Sequence, residues 1–212
     1  MLKIGTIILG LSLLIAACAD PAKDKTKAVT TESNSQKATL RQTKGETVTI
    51  SNENSKLLFT GSKVTGKHDG GFNKFTGNID LVNNKPEESQ VAVDIEMSSV
   101  FTDTDGVTKH LQSGDFFEVE KHPKSTLVST KISPDTAKGA DNFTVTADLE
   151  MRGVKKSITF PAKITVSPTQ VNVDSEFAIN RKDFGIIYAG KADDLIRDDV
   201  VIKLNIKSPR KK

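Results

Sequence analysis

Asn142-Phe143-Thr144-Val145-Thr146-Ala147-Asp148-Leu149-Glu150-Met151-Arg152-Gly153 decides the reading of this chain. Phe143, Val145, Ala147, Leu149 and Met151 alternate with Thr144, Thr146, Asp148 and Glu150, a period of two that belongs to a strand with one buried and one wet face. Arg152-Gly153 breaks the pattern as a turn. Alternation then resumes, with Ile158, Phe160, Ala162, Ile164 and Val166 set against Thr159, Pro161, Lys163 and Thr165.

The same pattern extends in both directions. Upstream, Val91, Val93, Ile95 and Met97 alternate with Ala92, Asp94 and Glu96. Downstream, Val171, Val173, Ser175, Phe177 and Ile179 form one inward set, and Val200, Ile202, Leu204 and Ile206 another. Asn83-Asn84-Lys85-Pro86, Ser133-Pro134-Asp135 and Ser167-Pro168 supply further turns. Only Thr108–Ser113 reads as a short helix, between Asp105-Gly106 and a stop at Gly114. Many long amphipathic strands joined by turns predict an all-β fold, either a sandwich or a closed antiparallel barrel. Small residues (Gly77, Ala147, Ala162, Ser175) share the inward faces with large ones, which suits tapered close packing and a ligand cavity equally well.

Outside this region the composition changes. Met1-Leu2-Lys3 is a short positive start, and Ile4 to Ala17 is apolar apart from small residues. That run falls short of the roughly 20 apolar residues a spanning helix needs. It predicts a signal peptide over 1–17. Ile15-Ala16-Ala17-Cys18 resembles the lipobox of bacterial lipoproteins, and Cys18 is the single cysteine of the chain. Cys18 is therefore the candidate lipidation site, and the mature chain is expected to be exported and held to the cell envelope by acyl chains. Ala19 follows the cysteine, which by resemblance to enteric sorting favours the outer membrane over the inner. With Cys18 acylated no thiol is left for a disulfide, so core packing alone must hold the domain.

Residues 18–45 are polar, with Val29 and Leu40 as the only large aliphatics. This stretch predicts a disordered tether of roughly 30 Å mean span. Residues 46–207 are long enough for one domain, and 208–212 read as a solvated basic tail. No basic patch with interleaved aromatics is visible, which argues against a nucleic-acid partner.

The middle of the chain carries specific motifs. Gly66-Lys67-His68-Asp69-Gly70-Gly71-Phe72 runs into Phe75-Thr76-Gly77, and Ser98-Ser99-Val100-Phe101-Thr102 follows. Then come His110-Leu111-Gln112-Ser113-Gly114-Asp115-Phe116-Phe117-Glu118-Val119-Glu120, His122-Pro123, Asp148-Leu149-Glu150-Met151-Arg152-Gly153-Val154-Lys155-Lys156 and Arg181-Lys182-Asp183-Phe184-Gly185. In this order and spacing they resemble the YceI-like family over about Thr47 to Ile206. The resemblance implies a lipocalin-like closed barrel that binds a polyisoprenoid lipid or isoprenoid quinone, with no required cofactor. Two departures stand out: Asn54-Ser55 lies where the family often has a His-Ser pair, and Val107-Thr108-Lys109 precedes His110 where it often has Arg-Asp.

The inward candidates for an apolar tunnel are Phe59, Phe75, Ile79, Val93, Ile95, Leu149, Phe160 and Phe177. Adjacent Phe116 and Phe117 cannot both face one way, so one is expected to plug the barrel end and the other to pack the helix down. Plain core packing and ligand gating both satisfy that. His68, His110 and His122 fall in separate segments without the spacing of a metal site. His110, Ser113 and Asp115 lie close in sequence, but no nucleophile elbow surrounds Ser113, and no metal or catalytic residue is assigned. Gly70-Gly71 lacks the helix and Lys-Ser/Thr of a phosphate loop and predicts a tight turn or bulge. The expected function is a membrane-anchored binder or carrier of an isoprenoid, with a structural or adhesion lipoprotein with a filled barrel as the alternative; an enzyme acting on such lipids is not expected. The last needs a poised acid–base pair that the sequence does not display. Oligomeric state is not legible.

Overall fold

The computed structural model describes residues 19–33 and 45–210. The signal peptide, Cys18, positions 34–44 of the expected tether and the last two lysines lie outside the described residues.

The strands are β1 (Val29–Glu32), β2 (Glu46–Ser51), β3 (Lys56–Ser62), β4 (Lys67–Phe72), β5 (Phe75–Leu81), β6 (Gln90–Glu96), β7 (Val100–Thr102), β8 (Lys124–Pro134), β9 (Asn142–Met151), β10 (Val154–Val166), β11 (Gln170–Asn180), β12 (Gly190–Lys191), β13 (Asp194–Leu195) and β14 (Asp199–Pro209). One helix, α1 (Asp105–Gln112), follows β7. It begins three residues before the expected start, because Asp105 places a carboxylate in the first turn, where the helix dipole favours it.

The main sheet is antiparallel and runs in the order β2-β5-β6-β8-β9-β10-β11-β14-β3-β4-β7. It curls back on itself. Arg210, just past β14, pairs with Glu46 of β2 at 2.6 Å, and Ser55 Oγ accepts from Lys207 N at 3.1 Å. No strand pairing among the described residues joins the two ends of the sheet. The observed architecture is therefore an all-β curled antiparallel sheet with one short helix, and the closed barrel expected from the resemblance is not reached by ladder hydrogen bonds. Arg210 also corrects the basic tail. Its guanidinium is held by Glu46 and by the carbonyl oxygen of Ser167, 2.7 Å away, and Ser208 is fully buried.

Local chemistry explains the turns. Arg152 (φ 51°) and Gly153 (φ 72°) both take the left-handed backbone that a two-residue hairpin requires, which sets Met151 opposite Val154. Asn83 (φ 53°) and Asn84 (φ 59°) take the same left-handed backbone within the longer connection between β5 and β6. Gly70 and Gly71 serve another purpose than the expected turn or bulge. They lie inside β4, where a Cβ on Gly70 would meet the backbone oxygen of Phe101 and come within 2.7 Å of the Phe59 ring. The one register shift recorded in the sheet lies in β8, between Ser129 and Lys131.

The N-terminal segment departs most from expectation. β10 and β11 pair only between Lys163–Val166 and Asp174–Val171. Beyond that they separate, and the N-terminal arm fills the gap. β1 pairs with Thr159–Lys156 of β10. On the other side Ala28 N donates to Ala178 O at 2.8 Å, and Ala178 N donates to Thr26 O at 2.9 Å. Ala22 is buried against Ala178 and Val201. Residues 26–32 are thus bonded into the sheet and Ala22 is packed against it, so this part of the expected disordered tether is ordered. Few apolar side chains predict disorder, whereas this arm is held by backbone hydrogen bonds that two open strand edges offer.

Candidate functional site

Two spaces lie along the axis of the curled sheet. The interior one is a cavity of about 100 Å³ walled by aliphatic and aromatic side chains, with Ser129 as the only polar residue lining it. Ser129 Oγ already accepts from Val91 N at 2.8 Å. Of the expected tunnel residues, Phe75, Ile79, Val93, Ile95 and Phe160 line this cavity. Leu149 and Phe177 are buried in the adjoining cluster without lining it. Phe177 stacks on Phe160 with ring centres 4.3 Å apart. Val91, Val145, Ile164, Val173, Leu204 and Ile206, all in the alternating sets, line it too, as do Ile50, Leu57, Leu127 and Ile132. The last four lie in β2, β3 and β8, strands for which no alternation was read.

The small inward residues do not open this space. None of Gly77, Ala147, Ala162 and Ser175 lines it. Ala147 is fully buried, and a Cβ on Gly77 would fall 3.1 Å from Val93 Cα. They taper the packing. The cavity itself is smaller than the roughly 150 Å³ that holds one benzene ring.

The second space is a pocket of about 410 Å³ at the end of the sheet capped by α1. Phe59, Phe116, Tyr188, Val107, Leu111 and Ile196 provide an apolar wall, and Ser62, Lys63, His68, Thr102, His110 and Lys191 provide polar groups. Phe59 and Phe116, expected in a tunnel, belong here. Phe117 turns the other way and packs on the interior cluster. Its ring lies 5.9 Å from that of Phe72, and Phe72 lies 5.9 Å from Phe59. This row of three rings stands between mouth and interior.

The quoted motifs build that mouth. His110 Nε2 lies 2.8 Å from Asp115 Oδ2, and its ring meets Phe116 edge-on at 4.9 Å and Tyr188 at 5.0 Å. Asp115 thereby closes the exit of α1. Ser113 Oγ donates to the backbone oxygen of His110 at 2.8 Å and does not engage the imidazole, so the three residues make no triad. His68 Nδ1 lies 2.8 Å from Asp103 Oδ1. That contact holds the Asp103 carboxyl below its ordinary value, as Thr60 and then Lys67 do for Asp69. His122 packs against Gly153, where an added Cβ would come within 2.8 Å of its ring. Among the described residues no three metal-ligating side chains come together.

Two arginines, seen in the sequence only as motif letters, organise the rest. Arg152 donates to the carbonyl oxygen of Gly114 at 2.7 Å and to that of Gly185, tying the α1 exit to the turn after β11. Arg181, nearly fully buried, donates to the backbone oxygens of Ile186 (2.7 Å) and Arg197 (3.1 Å) and to Asp198 Oδ1 (3.1 Å). It shapes the loop from Ile186 to Asp198, which carries Tyr188 over the pocket. Asp194 at the tip of that loop pairs with Lys63 and accepts from Thr65 Oγ1 at 2.9 Å. Those partners hold its carboxyl below the ordinary value. Ser62, on the pocket wall, keeps a buried hydroxyl with no hydrogen-bond partner. Sequence reasoning missed Ser62 and Tyr188, although Tyr188 is the only tyrosine of the chain.

A curled antiparallel sheet with an apolar interior and a helix-capped mouth defines the class as an all-β half-barrel with one short helix. The comparisons narrow that class. The YceI-like domain family matches residues 48–208, and the chain belongs to that family. A UPF0312 protein of Pseudomonas putida strain GB-1 is 32% identical over 140 residues, which is 63% of this chain and 71% of the relative. The crystal structure of Burkholderia cenocepacia BcnA superposes with a TM-score of 0.67 at 20% identity, covering 74% of this chain and 98% of that one. A polyisoprenoid binding domain from Saccharophagus degradans, implicated in plant cell wall breakdown, gives a TM-score of 0.63 at 19% identity, covering 78% and 100%.

Proposed function

We propose that the chain is an exported lipoprotein, anchored through acyl chains on Cys18, that binds or carries a polyisoprenoid lipid or isoprenoid quinone. The observation that carries this reading is the pairing of a dry interior with an amphipathic mouth. An isoprenoid tail needs an apolar sleeve, whereas its head group needs polar partners at one end. The interior supplies the first. His68, His110, Lys63 and the unpartnered Ser62 hydroxyl supply the second. The family, and the polyisoprenoid binding domain with the same fold, support the ligand class. At about 100 Å³ the interior is smaller than an isoprenoid tail, so this reading requires the Phe59–Phe72–Phe117 row to part for the tail to enter.

The small interior also favours a second reading, a structural or adhesion lipoprotein whose sheet is filled by its own side chains. Organic-solvent extraction of protein purified from its own membranes, followed by mass spectrometry, separates the two. An isoprenoid in near-stoichiometric amount is expected; its absence under gentle detergent would leave the structural reading. The anchor is tested by fatty-acid labelling, which is expected on the natural chain and lost in Cys18→Ala.

A further inference from the structure

We propose that the mouth of the sheet docks directly on the bilayer that holds the anchor, with Val64, Ile187 and Leu195 set into the lipid interface. The inference rests on the Cys18 anchor and adds an orientation to it. The first observation is the arm. Asp20 lies 3.7 Å from Arg197, whose backbone N–H donates to Ser62 O in the mouth wall at 2.8 Å. Ala22, two residues further on, is only 1% exposed. Asp20 and Ala22 are thus fixed beside the mouth at the start of the described residues, and Cys18 is two residues before Asp20 in the sequence.

The second observation is independent of the arm. Four large aliphatic side chains stand exposed among the described residues, and three of them edge the mouth: Val64 at 42%, Ile187 at 70% and Leu195 at 49%. Val64 follows β3, and its N–H donates to Leu195 O at 3.1 Å, while Ile187 adjoins Tyr188. Water-exposed aliphatics grouped round one opening suit an apolar surface. Of the rim cations, Lys63 and Lys67 are paired with Asp194 and Asp69, while Lys191 also lines the pocket, so persistence in high salt is what separates apolar insertion from attraction to anionic lipid. Docked this way, the pocket opens into the interface, and a lipid passes in without crossing water.

The chain has no tryptophan, which makes single insertions clean probes. Ile187→Trp, Leu195→Trp and Ala137→Trp are prepared as the full lipidated chain in phosphatidylcholine vesicles containing brominated phosphatidylcholine. Ala137 lies in the exposed β8–β9 turn, at the far end from the mouth. Quenching at 187 and 195 is expected to exceed that at 137 by roughly twofold or more, and to persist in high salt. Equal quenching at all three positions, or none at 187 and 195, overturns the docking. Ala22→Glu, which forces a charge against Ala178 and Val201, is expected to lower quenching at 195 to the level at 137. Unchanged quenching would overturn the role of the arm. Failure of the anchor itself is read separately, as missing fatty-acid label on Cys18.

Discussion

Arg181 shows how one residue positions a site it does not enter. Its guanidinium leaves water to serve three backbone oxygens and one carboxylate of a single loop, and removing one partner of such a buried set is costly. Arg181→Met is expected to lose roughly 3–5 kcal/mol in denaturant unfolding, and to release the loop that carries Tyr188. The sequence displayed Arg181 as part of a motif, but the motif does not say which carbonyls an arginine reaches. Ala147 gives the opposite lesson. Its small size suggested space, yet it is fully buried in a filled cluster. Ala147→Leu is expected to overpack that cluster at a cost of roughly 1–3 kcal/mol.

At the scale of elements the arm is the decisive case. Nothing in Ala19–Ser33 looks like a strand of the core, yet the parting of β10 and β11 leaves two sets of backbone groups that only a third segment can satisfy. The signal lay elsewhere in the sequence: Ala178 and Val201 are apolar on faces otherwise occupied by Asp174, Glu176 and Lys203. Ala28→Pro removes the donor to Ala178 O. It is expected to cost about 1–3 kcal/mol, since a buried carbonyl loses its partner. Hydrogen exchange should quicken at Ala178, whose N–H donates to Thr26 O in the arm, while β5 and β6 are unchanged; uniform protection would show the arm to be dispensable. The strands behaved otherwise. β6, β9, β10, β11 and β14 follow the predicted alternation, because a half-buried strand writes its own period into its sequence.

For the whole molecule, mouth and interior respond differently to solvent. Asp194 on the mouth wall and Asp103, which holds His68 there, have carboxyls kept below their ordinary value of 3.8. A carboxyl lowered in the fold contributes stability that is present in full above its ordinary value and is lost as pH falls through the folded one. Acid is thus expected to loosen the mouth while the sheet persists. Tyr188, the only tyrosine in a chain without tryptophan, reports this directly. Its fluorescence should change below about pH 4 before the far-ultraviolet strand signal does; coincident transitions would refute a separable mouth. Val93→Phe adds volume to the interior cavity and not to the filled clusters. It is expected to leave the lipid-free form as stable as the natural chain while reducing the isoprenoid recovered with it, by unfolding and mass spectrometry side by side.

Period-two alternation, turn chemistry and the ordered motifs determined from sequence that this is an all-β YceI-like chain with one short helix, and most of the residues facing its interior. Those properties are local or are carried by short patterns, so they survive without knowledge of what packs on what. The tertiary structure alone decided that the sheet curls without a ladder joining its ends, and that the arm after Cys18 belongs to the sheet. It also decided that Phe116 and Phe117 face a mouth and an interior respectively, and that the small inward residues taper a packed core. Each of these depends on which distant segments share a boundary: a backbone hydrogen bond, a cavity or an aromatic contact exists only when both sides are in place, and one strand read alone carries only its own side.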